Sequence, residues 1–416
     1  MADDKSLEQQ SLEQQGLMRR VVRWLVKRYY PRLDITGAER IARTGPVLLC
    51  ANHANSLIDP VLIGIAAGRP VRFMAKAPLF DSPLFGPPMR ALGMISAYRG
   101  QDDAKQVRRN VESLDVGAKV LVAGHAMGIF PEGVSTDQAH LEKVRSGASR
   151  MAIGAAEQGA KGVQVVPIGM TYQMKEQFRS AVWIQVGRPI DVDAWIAQHD
   201  GDGRKAMRAM TKELESRLKE VVVHLDEPAW EPWLSDLELL AQPPRDRSRK
   251  PVPPLQQRKR IADAMNHFMA DDRPRAQEVA DEIKAYRERV KAAGLSVTSP
   301  VLRMHGLMVC ATLFWNLLCL IVLLPLAMVG TLHHLAPFVL VRGIASRLDQ
   351  PGRKTVSTNR LMVGVPIYPL WYIAVGWWMF DYFATWFAAT WMIAAPPAGV
   401  LALSYWRRAS RTVSLL

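Results

Sequence analysis

Hydrophobic and polar positions change their spacing several times along the chain, and each change predicts a different kind of element. Between Leu17 and Tyr30, Met18, Val21, Val22, Leu25 and Tyr29 recur at helical spacing, Arg19, Arg20, Arg23, Lys27 and Arg28 lie between them, and Trp24 sits near the boundary. This pattern predicts a basic amphipathic helix over 17–31, suited equally to an anionic membrane surface or to a face packed on its own domain. Before it, residues 1–16 hold the tandem repeat Ser6-Leu7-Glu8-Gln9-Gln10 and Ser11 to Gln15, a polar segment expected to be a loose tail or a short surface helix.

From Pro46 to Pro189, short β-rich runs alternate with helical segments. Strands are expected at 46–51, 71–74, 93–97, 128–130, 163–170 and 182–186. Helices are expected near 60–68, 78–92, 103–122 and 146–158, and a further one over 202–225 closes the unit with Met207, Met210, Leu214, Leu218 and Val221 on one face. The alternation predicts an α/β domain over 32–225, a mostly parallel sheet flanked by helices, whose functional residues gather where strands end. Residues 226–300 start as a basic, Pro-rich linker (Pro243-Pro244, Arg245, Arg247, Arg249) and continue as two charged helices at about 255–270 and 274–293, ended by Gly294.

The last quarter is different in kind. Met304 to Val341 is a run of 38 residues without Asp, Glu, Lys or Arg, and Leu361 to Trp406 is a run of 46 broken only by Asp381. One crossing of the hydrocarbon core takes about 20 apolar residues, so 301–416 is an α-helical membrane region. Each run exceeds one crossing, which predicts two helical hairpins turning near Pro325–His334 and near Asp381. Arg342, Arg347, Arg353, Lys354 and Arg360 between them, and Arg407, Arg408 and Arg411 after them, predict that loop and tail face the cytosol together with the α/β domain.

Charge and cysteine content narrow the partners. A net charge of +14 over 416 residues calls for nucleic acid, acidic headgroups or phosphorylated substrates as its counterpart. Nucleic acid would account for the charge but not for the apolar runs. Cys50, Cys310 and Cys319 lie in apolar runs without metal-ligand or paired spacing, so neither a disulfide framework nor a metal site is expected.

Candidate chemistry starts after the apolar run Val47–Ala51, where Asn52-His53 is followed by Asp59-Pro60. A histidine at a strand end with a carboxylate a short turn away can form a general base of fixed tautomer, while Asp59 before Pro60 is also a common helix start. Further strand ends carry Tyr98-Arg99-Gly100, Phe130-Pro131-Glu132-Gly133 and Arg145-Ser146-Gly147. Arg99 and Arg145 offer planar forks for a phosphate, the second beside a helix amino terminus. Glu132, held between Pro and Gly, can face a polyol hydroxyl or hold an arginine. Singly, each also fits a solvated charge or an ordinary tight turn.

In this order the segments resemble the membrane-bound glycerolipid acyltransferases: Asn52-His53 through Asp59-Pro60, Gly93 through Arg99, Phe130 to Gly133, and Val165-Val166-Pro167-Ile168-Gly169, together covering about 45–190. Five residues separate His53 from Asp59 where the commonest members have four, which resembles the subgroup of fungal glycerol-3-phosphate and dihydroxyacetone-phosphate acyltransferases. The resemblance implies His53 and Asp59 as the catalytic pair, with Arg99, Glu132, Gly133 and Arg145 as residues binding the acceptor. It implies an acyl-CoA or acyl-carrier-protein donor, a phosphorylated glycerol acceptor, membrane lipid, no nucleic acid, no cofactor and no metal. Glycerol-3-phosphate is the expected acceptor and lysophosphatidate its nearest alternative. A non-catalytic membrane tether that keeps the fold is the alternative of another class.

Overall fold

The computed structural model describes residues 2–82, 86–97, 107–136, 138–199, 202–240, 254–294, 306–348 and 355–413. They form two compact units. The first comprises 1–234, 243–271 and 352–357, and the second 235–242, 272–351 and 358–416.

The first unit is an α/β domain. Its strands are β1 (Arg32–Thr36), β2 (Val47–Ala51), β3 (Val71–Lys76), β4 (Ile95–Ala97), β5 (Ala126–Ile129), β6 (Gln164–Tyr172), β7 (Ala181–Val186) and β8 (Ile190–Asp191). They assemble in the order β1-β7-β6-β2-β5-β3-β4, with β8 also pairing β6. All neighbours are parallel except β7 and β8 on β6. Every residue of β2 is fully buried, as a central parallel strand covered on both faces requires.

Helices α1 (Ala2–Tyr29), α2 (Ile58–Ala67), α3 (Ala77–Asp81), α4 (Gly86–Ala91), α5 (Val107–Val122), α6 (Gly147–Glu157), α7 (Val192–Ala197) and α8 (Gly203–Val221) connect or cover the strands. Leu48, Cys50, Met127 and Val165 of the sheet pack with Leu121 of α5, Met151 of α6 and Met210, Leu214 and Leu218 of α8 in one apolar core. The Asp202 carboxylate starts α8 by accepting from the Arg204 and Lys205 amides. Beyond α9 (Glu231–Leu240), α10 (Pro254–Asp271) belongs to this unit, where Asn266 donates to the His224 carbonyl (2.8 Å) and accepts from the Asp226 amide (3.0 Å).

Two features depart from the expectation at the amino-terminal end. The polar repeat is no loose tail: α1 runs back through it to Ala2, because Leu, Glu and Gln are all good helix formers. Strand β1 was invisible to an apolar-run reading, since Arg32 and Asp34 point outward from a sheet edge and only one face is apolar.

The second unit holds α11 (Arg273–Ala292), α12 (Gly306–Leu348), α13 (Val356–Tyr382) and α14 (Thr385–Val413). Arg287 of α11 donates to both carboxylate oxygens of Asp236 at 2.9 and 3.1 Å. The last three helices are each long and apolar enough to cross a membrane. The expected first hairpin is not formed: Gly306–Leu348 is one continuous helix of 43 residues, with Pro325 and Pro337 inside it. His333 and His334, at the end of the stretch where the turn was expected, are paired inward instead. His334 bonds the Gly330 carbonyl and the Tyr372 hydroxyl, both at 2.8 Å, while the Trp371 and Trp391 indoles donate to the His333 carbonyl and to its Nδ1. With both ring nitrogens of His334 and the Nδ1 of His333 engaged inside the helix bundle, they place no demand for a turn on the backbone. Between α13 and α14 the chain breaks at Phe383 and Ala384, just after Asp381.

Candidate active site

The carboxyl ends of β5, β2 and β6 lie side by side, and the residues following each converge on His53. Asn52 secures the exit from β2: its amide oxygen accepts from the Met170 N–H at 2.8 Å and its NH₂ donates to the Met170 carbonyl at 3.1 Å. A side chain thus continues the β2–β6 ladder where the backbone has turned away.

His53 Nδ1 lies 2.8 Å from Asp59 Oδ2. The same oxygen accepts from the Ala54 and Asn55 amides at 2.9 and 2.7 Å, and Oδ1 accepts from the Tyr172 hydroxyl. The tautomer that completes the His53–Asp59 contact carries its proton on Nδ1 and leaves Nε2 with a free lone pair. Asp59 is not the helix cap: α2 begins at Ile58, and the carboxylate reaches back to the loop amides instead of forward. The five-residue spacing is absorbed at Ser56, whose φ of 38° places it in the left-handed region.

Phe130, at the end of β5, stacks on the imidazole with ring centres 4.0 Å apart and planes 13° from parallel. Glu132 is buried with both oxygens engaged, accepting from the His53 amide at 3.0 Å and from the Glu142 amide at 3.1 Å. Burial pushes its carboxyl pKa up to about 7, against the lowering effect of those two bonds. Gly133 turns at φ 72°, and a Cβ there would come within 3.3 Å of Arg145 Nε, so the exposed Arg145 side chain lies over it. The Arg145 amide in turn donates to the Pro131 carbonyl at 3.0 Å.

The structure thus brings His53, Asp59, Glu132, Gly133 and Arg145 together, while Arg99 lies outside the described residues. It also adds support that the motif reading missed. Tyr172 holds Asp59, and burial together with the Asp59 charge raises its phenol pKa well above the usual range, so it stays a donor. Lys175 is buried and donates to the Ala54 carbonyl at 2.9 Å. Asn55 donates to the Tyr30 hydroxyl at 2.8 Å, and both Tyr30 and Ser357 donate to the Lys175 carbonyl. None of these left a sequence signal, because they reach the site only through the packing of distant segments, Tyr172 through the pairing of β6 with the histidine-bearing β2.

Residues 32–171 match the family model described as Acyltransferase. Over this region the chain is similar to glycerolipid acyltransferases. Its acyltransferase region is similar to two glycerol-3-phosphate O-acyltransferases of Saccharomyces cerevisiae, at 24% identity over 59% of this chain and 23% over 61%, in each case across 35% of the yeast protein. It is also 29% identical to a probable 1-acyl-sn-glycerol-3-phosphate acyltransferase of Mycoplasma pneumoniae, over 31% of this chain and 45% of that protein. The chain therefore spans about a third of the yeast relatives' length. Among solved structures, the 1-acyl-sn-glycerophosphate acyltransferase of Thermotoga maritima aligns with 51% of this chain and 82% of its own, with 18% identity and a TM-score of 0.35.

Proposed function

We propose that the protein transfers a fatty acyl group from acyl-CoA or acyl-carrier protein to glycerol-3-phosphate. The observation that carries this reading is the His53–Asp59 pair, 2.8 Å apart at the carboxyl end of β2 with Nε2 left free. In the reaction Nε2 takes the proton from a glycerol hydroxyl as its oxygen attacks the thioester carbonyl. The C–O bond forms, the C–S bond breaks, and the imidazolium returns its proton to the departing thiolate. Asp59 keeps the imidazole oriented and stabilises its charged form. Arg145, over Gly133, and Arg99 bind the acceptor phosphate, and Phe130 fixes the ring plane.

Glu132, buried with one backbone amide donating to each oxygen, holds the His53 loop. Acylation of lysophosphatidate is the second reading, favoured by the similarity to the Mycoplasma protein. The test is an acceptor panel: the reconstituted protein with acyl-CoA and, separately, glycerol-3-phosphate, dihydroxyacetone phosphate, lysophosphatidate and lysophosphatidylcholine, with His53→Ala as the control. Fastest turnover on glycerol-3-phosphate that disappears in the control supports the proposal. A preference for lysophosphatidate selects the second reading, and turnover on none of them favours the non-catalytic tether.

A further inference from the structure

Helix α1 has two different faces within the first unit. One faces inward: Val26 and Tyr29 are buried, Arg19 donates to the Leu92 carbonyl at 2.8 Å, and Arg23 donates to the carbonyls of Gly64 (2.8 Å) and Arg69 (3.3 Å). These bonds account for two of its arginines and hold the helix against α2.

The other face has no such account. From Leu17 to Arg28 the exposed residues are Leu17, Arg20, Val21, Trp24, Lys27 and Arg28, and at helical spacing they form one strip. Leu17 is 61% exposed, Val21 46% and Trp24 57%, an apolar line that its own domain leaves uncovered. Arg20, Lys27 and Arg28 border it, and the Arg28 guanidinium lies 5.5 Å from the centre of the Trp24 ring. No Asp or Glu occurs between Gly16 and Leu33.

We propose that this face of α1 docks on an anionic bilayer surface, with Trp24, Val21 and Leu17 entering the headgroup boundary and Arg20, Lys27 and Arg28 contacting acidic phosphates. Apolar residues alone would fit many partners, but a Trp-centred apolar line bordered only by cations fits the interface of a negatively charged leaflet. The apolar helices of the second unit add a second argument. They tether the chain to a bilayer, so an exposed helix of the same chain meets lipid at a high effective concentration. Through Tyr30, which follows α1 directly and accepts from Asn55, the docked helix would also connect the lipid surface to the loop carrying His53 and Asp59.

The test uses the full chain in nanodiscs of phosphatidylcholine with or without phosphatidylglycerol, in a background lacking Cys50, Cys310 and Cys319. A spin label introduced by Trp24→Cys reports oxygen against water-soluble relaxant accessibility, and Lys161→Cys, on an exposed turn, gives the aqueous reference. The expected result is immersion of the label at position 24 that deepens with phosphatidylglycerol and is lost in the triple variant R20E, K27E and R28E. Accessibility at 24 equal to that at 161 in both discs overturns the proposal. Immersion indifferent to phosphatidylglycerol overturns its anionic part. Protection that requires added acyl-carrier protein, or a second chain in the disc, assigns the face to a protein partner instead.

Discussion

At the scale of single residues, the proposed chemistry depends on how Asp59 is held. Three donors converge on Oδ2, and Tyr172 alone supplies Oδ1. A hydrogen bond to a charged group contributes about 1.5–3 kcal/mol. Tyr172→Phe should therefore reduce kcat/KM roughly tenfold or more while leaving the acceptor KM nearly unchanged. An unchanged kcat/KM would assign Tyr172 to packing.

Glu132 gives a stability prediction with a definite sign. Its folded pKa of about 7 lies above the ordinary 4.5, so the native state holds the proton more tightly than the unfolded chain does. The associated stabilisation is complete below pH 4.5 and is lost as pH rises toward 7, by up to about 3 kcal/mol. Melting of the wild-type protein and Glu132→Gln in detergent should show the wild type losing ground to the variant between pH 5 and 8. A gap between them that does not change with pH would mean Glu132 does not titrate in that window. His53, Asp59, Glu132 and Gly133 were legible in the sequence because local spacing carries them. Tyr172 and Lys175 were not, because they reach the site only through the pairing of β6 with β2, and no spacing along the chain encodes that neighbourhood.

At the scale of elements, the continuous strands and amphipathic helices followed from periodicity, whereas α12 did not. Counting apolar residues gave a length too great for one crossing, but the length of a run does not say whether it turns. Packing supplies that information. Gly330 lets the backbones of α12 and α14 meet, since a Cβ there would lie 2.1 Å from the Ala398 carbonyl oxygen. Around it Ala327, Ala395, Ala398 and Ala402 are buried, small residues that allow close helix approach without a hydrophobic driving force. Gly330→Val should force the helices apart and cost about 1–3 kcal/mol, as overpacking does. Gly343→Ala is the control, because nothing lies within 4 Å of a Cβ at that position. Melting of both variants in detergent should show a lower midpoint for the first alone, and equal midpoints would remove the α12–α14 contact as the source of stability.

At the scale of the whole molecule, topology can be argued from the two ends of α13 and α14. Helices α13 and α14 are consecutive, and each is long and apolar enough to cross a membrane. The break at Phe383 and Ala384 sends α14 back, and Trp371 and Trp391 on the two arms both reach His333. Two crossings return the chain to the side from which it left, whatever path α12 takes. A crossing by each helix would put Arg407 and Arg408 on the same side as Arg342, Arg347 and Arg360 around the α12–α13 connection, the arrangement that the bias of basic residues toward the cytosol favours. Single cysteines introduced by Ser346→Cys and Ser410→Cys, in a background lacking the native three, should both resist an impermeant maleimide in intact cells and both react after lysis. Labelling at 410 but not at 346 in intact cells would show that α13 and α14 do not cross as a pair. Labelling at both would keep the pair and place both of its ends on the outer side.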